Sequence, residues 1–125
     1  MDTVAITSFG YLHGQPPAAH LVVGLRHHFR DPHVSPELRY LTAHDEAVRA
    51  AVMATPGIPA LIDSITAAVH AFASGPSTGP VTVAVGCAGG RHRAGAVAME
   101  LGHRIPGATV VHRDLGKPVV ERGAR

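Results

Sequence analysis

The sequence predicts a small single α/β domain with a mainly parallel sheet of about four strands flanked by three helices. Three observations carry this. Val81-Thr82-Val83-Ala84-Val85 is an almost unbroken β-branched run, apolar enough for the middle of a sheet. It leads directly into a glycine loop, after which Ala94, Val97, Ala98 and Leu101 fall at helical spacing and Ala108 to His112 reads as a strand, the order of a βαβ unit. The third is size and composition: 125 residues, 46% apolar and 16% charged, suit one domain with its own core.

The elements follow in chain order. Thr3 to Thr7 alternates polar and apolar side chains and is β-branched, so it is read as the first strand, broken at Ser8-Phe9-Gly10. His20 to Leu25 is a second short apolar run, and Pro16-Pro17 just before it excludes a helix there. Between Arg26 and Tyr40 neither a period of two nor one of 3.6 survives, and Pro32 and Pro36 interrupt the segment, which makes a long loop of functional interest. Thr42 is a reasonable cap for a helix of about three turns with Ala47, Val48, Ala51 and Val52 on one face. Pro59 suits the first turn of a second helix, whose apolar face is Leu61, Ile62, Ile65, Val69 and Phe72 and which Gly75-Pro76 ends. The third helix lies between the glycine loop and Pro106-Gly107. From Gly116 onward no pattern remains, so the sequence divides into a domain over 1–115 and a flexible basic tail over 116–125.

Composition narrows the function. Aromatic residues are 4% of the chain and Trp is absent, so stacking of nucleic-acid bases is poorly supplied. A single cysteine, Cys87, forms no intramolecular disulfide, and no long uninterrupted apolar run is present, which together suggest a reducing cytoplasm and no membrane role. Formal charge is +2 with ten histidines neutral, a mild bias toward anionic partners that grows as pH falls.

The sharpest signal is Gly86-Cys87-Ala88-Gly89-Gly90-Arg91-His92-Arg93. Glycines let backbone N–H groups face inward, and a helix starting directly afterwards adds the positive end of its dipole. Arg91, His92 and Arg93 place cationic groups where that dipole disfavours them, unless an anion offsets the charge. The loop lacks the Gly-Lys-Ser/Thr of a Walker A sequence and the spacing of Gly-x-Gly-x-x-Gly, so neither ATP hydrolysis nor a dinucleotide is indicated. Cys87 and Arg93 do have the Cys-x5-Arg spacing of cysteine phosphatases, the main enzymatic alternative. Ala94 stands where those enzymes carry a hydroxyl, and no His precedes the cysteine, which favours binding over catalysis. His27, His28 and His33 lack the carboxylate or thiolate partners of a metal site, and neither a metal nor a cofactor is expected.

Ser8-Phe9-Gly10-Tyr11 with Gly14 and Pro16, then Leu38-Arg39 with Leu41-Thr42, the Gly86 to Arg93 loop, and His112-Arg113-Asp114 occur in that order. Together they resemble the C-terminal domain of the RapZ RNase adapter family across nearly the whole chain. The resemblance implies a sugar-phosphate pocket, with glucosamine-6-phosphate as the ligand class, a role in RNA binding or in regulating a protein, and self-association. It also implies that full-length relatives carry a P-loop kinase-like domain that this sequence lacks. The pocket residues so implied are Ala88, Gly89, Gly90, Arg91, His92 and Arg93 of the loop, with Ser8, Arg26, His33, Arg39, His112 and Arg113 from the other motifs. Three positions depart from the family pattern: Ala88 stands for Thr, Ala94 for Ser, and Gly24-Leu25-Arg26 for Asp-Val-Arg, which removes a carboxylate. The expected activity is non-catalytic recognition of a phosphorylated small molecule.

Overall fold

A computed structural model of the chain describes residues 3–77 and 79–120. Four strands form one sheet: β1 (Val4–Gly10), β2 (Leu21–Gly24), β3 (Val81–Cys87) and β4 (Ala108–His112). Their order is β2-β3-β1-β4 and every pairing is parallel. Three α-helices accompany them: α1 (Glu46–Met53), α2 (Ile58–Ala73) and α3 (Arg93–Arg104), so the small α/β domain read from the sequence is present. Because all strands run the same way, their carboxyl ends share one rim, where parallel sheets bind ligands.

Packing explains most of the element boundaries. Helix α3 is the hub, lying against β1, β3 and β4 as well as α1 and α2. Its Ala94, Val97, Ala98 and Leu101 are buried against a core that includes Ile6, Val83 and Val85 from the sheet, Val48 and Val52 from α1, and Ile62, Ile65 and Val69 from α2. Helix α2 has Pro59 in its first turn and buries Ile62, Ile65 and Val69 of the expected face together with Ile58, whereas Leu61 is half-buried and Phe72 is exposed beside His20. Among the described residues no single helix is long and apolar enough to cross a membrane.

Three expectations change. Strand β1 does not break at Ser8-Phe9-Gly10 but continues through it, pairing Ser8, Phe9 and Gly10 with Val85, Gly86 and Cys87. The polar serine and the glycine look like a turn locally, yet all three residues are buried and the ladder decides. Helix α1 has eight residues, not three full turns, and starts at Glu46 because Thr42 and Asp45 form a polar turn first: the Thr42 N–H donates to Asp45 Oδ2 at 2.9 Å. Finally, β3 and β4 are not neighbours. Strand β1 lies between them, so the βαβ unit is split by the first strand of the chain.

Candidate anion-binding site

Strand β3 delivers Cys87 to the rim, the loop Ala88–His92 turns, and α3 begins at Arg93. Gly90 has φ +80°, and a Cβ there would lie 2.9 Å from the Gly10 amide nitrogen and 3.0 Å from Asp114 Cβ. No other residue fits both the backbone and the space. A Cβ on Gly10 would in turn lie 2.5 Å from the Gly89 carbonyl carbon, so two glycines let the loop rest on the end of β1. Backbone bonds pin the loop from either side, Leu12 N–H to Ala88 O at 3.0 Å and Ala43 N–H to Arg91 O at 2.8 Å.

The amides of Gly90 and Ala94 point at Cys87 Sγ, at 3.3 and 3.5 Å. Those of Gly89, Arg91 and His92 donate to no group among the described residues. Cys87 is 2% exposed and forms the floor of a cavity whose walls include Gly89, Arg91, His92, Arg93, His33 and Asp31. Leu12, Val119 and Val120 complete the lining, leaving about 20 Å³ of free space, room for one water.

Arg93, one of the pocket residues implied by the resemblance, does not extend a free guanidinium fork into the cavity. It is instead 2% exposed, with Nη1 donating to Leu25 O and Phe29 O, both at 3.0 Å, and Nη2 to Asp31 Oδ2 at 3.1 Å. Only Nε is left, buried and without a partner. His92 is also engaged, its Nε2 3.0 Å from Leu38 O and its Nδ1 3.8 Å from Asp31 Oδ1. Asp31 therefore sits between two basic side chains. Burial pushes its carboxyl pKa up, but the His92 ring, the His33 amide and the Arg93 guanidinium outweigh that and bring it to about 2. Arg91 reaches outward, its Nη1 donating to Lys117 O and its Nη2 to Tyr40 O, both at 2.7 Å.

The remaining predicted residues surround the loop without lining the cavity. Ser8, fully buried at the end of β1, has its Oγ 2.6 Å from His112 Nδ1 on β4, so the interposed strand brings these two together. Burial and the nearby His44 lower the His112 pKa. Arg113 donates to Asp114 Oδ2 and to Gln15 O, at 2.9 and 2.6 Å. Arg39 donates from Nε to His33 O at 2.9 Å and so braces the segment that carries His33. Arg26 is exposed and stacks over the Tyr11 ring at 3.8 Å.

Sequence reasoning missed two carboxylates. Asp31 could have been found, since Asp before Pro with a polar run is a capping signal, and its side chain does accept the His33 N–H at 2.9 Å. Asp114 stands in the His112-Arg113-Asp114 motif, but its role had no local signal: it is fully buried, accepts the Gly10 N–H at 2.7 Å and pairs with Lys117 Nζ at 2.7 Å. Burial opposes ionisation of this carboxyl too, but Arg113, the Gly10 amide and Lys117 lower its pKa to about 2. Lys117 and Val119-Val120 thus contact the site from beyond residue 115, whereas 121–125 of the expected tail lie outside the described residues. No group of three or more His, Cys, Asp or Glu among the described residues is placed to hold a metal ion.

Comparison with known proteins identifies the family. A sequence model described as the RapZ C-terminal domain matches residues 2–116. A nucleotide-binding protein of Thermobifida fusca (strain YX) is 40% identical over 119 residues, covering 90% of this chain and 40% of the relative. One from Parafrankia sp. (strain EAN1pec) is 41% identical over 119 residues, covering 90% of this chain and 41% of its own length. One from Streptomyces coelicolor is 38% identical, again with 90% and 40% covered. This chain spans about two-fifths of the length of those relatives. By the family match over almost every residue, the chain belongs to the RapZ C-terminal domain family.

Proposed function

We propose that this domain binds the phosphate group of a small metabolite at the Gly86 to Arg93 loop and acts by binding rather than by catalysis. The observation that carries the reading is the set of loop amides, Gly89, Arg91 and His92, that have no partner among the described residues, at the start of α3 beside Cys87. Oriented amides at a helix N-terminus favour an anion, and Arg91 with the buried Arg93 Nε adds charge on the same side. The family resemblance narrows the ligand to an amino-sugar phosphate such as glucosamine 6-phosphate, and Asp31, ionised in the cavity wall, is a fitting partner for an amine. The relatives' name, nucleotide-binding protein, makes a nucleotide the competing ligand.

Phosphatase chemistry fits less well. A carboxyl with a pKa of about 2 carries no proton at neutral pH for a leaving group, and Ala94 has no hydroxyl. The resemblance also implies RNA, whose phosphates would meet the exposed Arg26, His27, His28 and Arg30 rather than the cavity.

Calorimetric titration with inorganic phosphate, glucosamine 6-phosphate, glucose 6-phosphate, AMP and a short RNA tests these readings together. Sugar phosphates are expected to bind, with the amino sugar tightest, and RNA heat is expected to fall as salt rises. Binding of AMP alone would replace the sugar by a nucleotide. Release of inorganic phosphate that Cys87→Ser abolishes would replace binding by catalysis.

A further inference from the structure

The cavity is too small for the ligand just proposed. About 20 Å³ of free space holds a single water, and a phosphate group is several times larger. The glycine loop cannot widen it, because Gly10 and Gly90 are already at the limit of approach and its carbonyls are pinned by Leu12 and Ala43. Nor can the wall opposite, where the Arg93 guanidinium locks Leu25, Phe29 and Asp31 together. One part of the lining is held differently. Val119 and Val120 are half-buried, follow a stretch without regular structure, and reach the cavity from a segment anchored by Lys117.

That anchor uses a group the ligand would want. Lys117 is fixed by its own N–H to Asp114 O at 3.0 Å, by its ammonium to Asp114 Oδ1 at 2.7 Å, and by its carbonyl accepting from Arg91 Nη1 at 2.7 Å. Of the loop's cations, Arg93 has both terminal nitrogens committed to the fold and His92 is bonded to Leu38 O, whereas Arg91 is held in part by this segment. A phosphate pairs with a guanidinium through two charged bonds, which are stronger than one bond to a neutral carbonyl.

We propose that Lys117 to Val120 is a strap that closes the anion site and is exchanged for the ligand: phosphate takes Arg91 from the Lys117 carbonyl, and Val119-Val120 leave the cavity mouth. This rests on the anion-site reading above. It adds that the closed form binds weakly and that affinity is set by the cost of releasing the strap. Ligand binding then changes the surface of the protein, because two valines that were half-buried become available to something else.

The test uses the full chain and its double variant Val119→Gly/Val120→Gly, which keeps Lys117, Asp114 and the whole loop. Cys87 is the sole cysteine, so its reaction rate with a chromogenic disulfide reagent reports how open the cavity is, whether or not phosphate binds. The expected results are a thiol rate at least tenfold higher in the variant, affinity for inorganic phosphate and glucose 6-phosphate at least fivefold tighter, and an unchanged melting temperature. In the unaltered chain, adding glucose 6-phosphate is expected to speed exchange of the Lys117 amide, which is bonded to Asp114 O in the closed form, a readout that does not depend on the variant's folding. An unchanged thiol rate would show that nothing covers Cys87 and would overturn the strap. Equal affinity in both chains would leave the anion site standing and overturn the exchange. A faster thiol rate with no phosphate binding in either chain would overturn both the exchange and the anion site itself.

Discussion

Two segments face each other across the cavity, and they are held in opposite ways. The glycine loop is fixed through its backbone, resting on Gly10 and bonded to Leu12 and Ala43. The segment from Leu25 to Tyr40 is fixed largely through side chains that belong to the loop: Arg93 takes Leu25 O, Phe29 O and Asp31, and His92 takes Leu38 O. The first is a frame and the second hangs from it. Basic side chains at the start of α3 look misplaced for the helix dipole, and half of the explanation is this structural duty.

The contrast can be broken most severely at Arg93. Arg93→Ala takes the guanidinium from the half-buried Asp31 carboxylate, which keeps the His33 amide, and from the Leu25 and Phe29 carbonyls, so a loss of about 3 kcal/mol in denaturant unfolding is expected. Hydrogen exchange should rise first over Leu25 to Tyr40. If the glycine loop loosened first, the assignment of frame and hanging segment would be reversed.

Acid acts on the same contact with a smaller effect. Asp31 is lowered from 3.8 to about 2 in the folded protein, so its contribution is complete above the unfolded value and fades as pH falls through the folded one. By linkage that is worth about 2 kcal/mol, present at pH 5 and lost on approaching pH 1. Asp31→Asn should flatten the acid limb of a stability-against-pH curve by that amount. The fully buried Asp114, also near 2, keeps the rest of the acid sensitivity and belongs to the frame. A variant with the original acid limb would mean that Asp31 is not what couples the two segments.

The smallest effect is expected within the hanging segment itself. Arg39→Ala removes one bond, Nε to His33 O, and should cost about 1 kcal/mol with the melting transition still cooperative. A loss as large as that of Arg93→Ala would show that the segment supports itself.

How much of this was legible depended on whether the cause was local. Val81 to Val85 and the apolar spacing of α2 and α3 declared themselves because each element's own residues determine it. The loop was legible because glycine and arginine are chemically specific there. Ser8-Phe9-Gly10 misled because its extended form is imposed by β3, more than seventy residues later. The role of Asp114, named only as the end of a motif, was hidden for the same reason: its meaning comes from the Gly10 amide, a partner at the other end of the chain. The bonds that tie Arg93 to the fold were not legible because a sequence motif shows which residue faces a loop, not which carbonyls reach it first.

The position of β1 has a consequence for how the protein is made. The first strand is an inner strand of the sheet, with β3 and β4 on its two sides, so Val4–Gly10 has both edges unpaired until Val81–Cys87 has been synthesised and one edge unpaired until Ala108–His112 has. Long sequence separations slow folding, and an unpaired apolar strand is exposed to wrong partners while it waits. The Gly10 amide that receives Asp114, and the floor on which the glycine loop rests, belong to that strand. A nascent chain therefore carries every residue of the loop before it has a site.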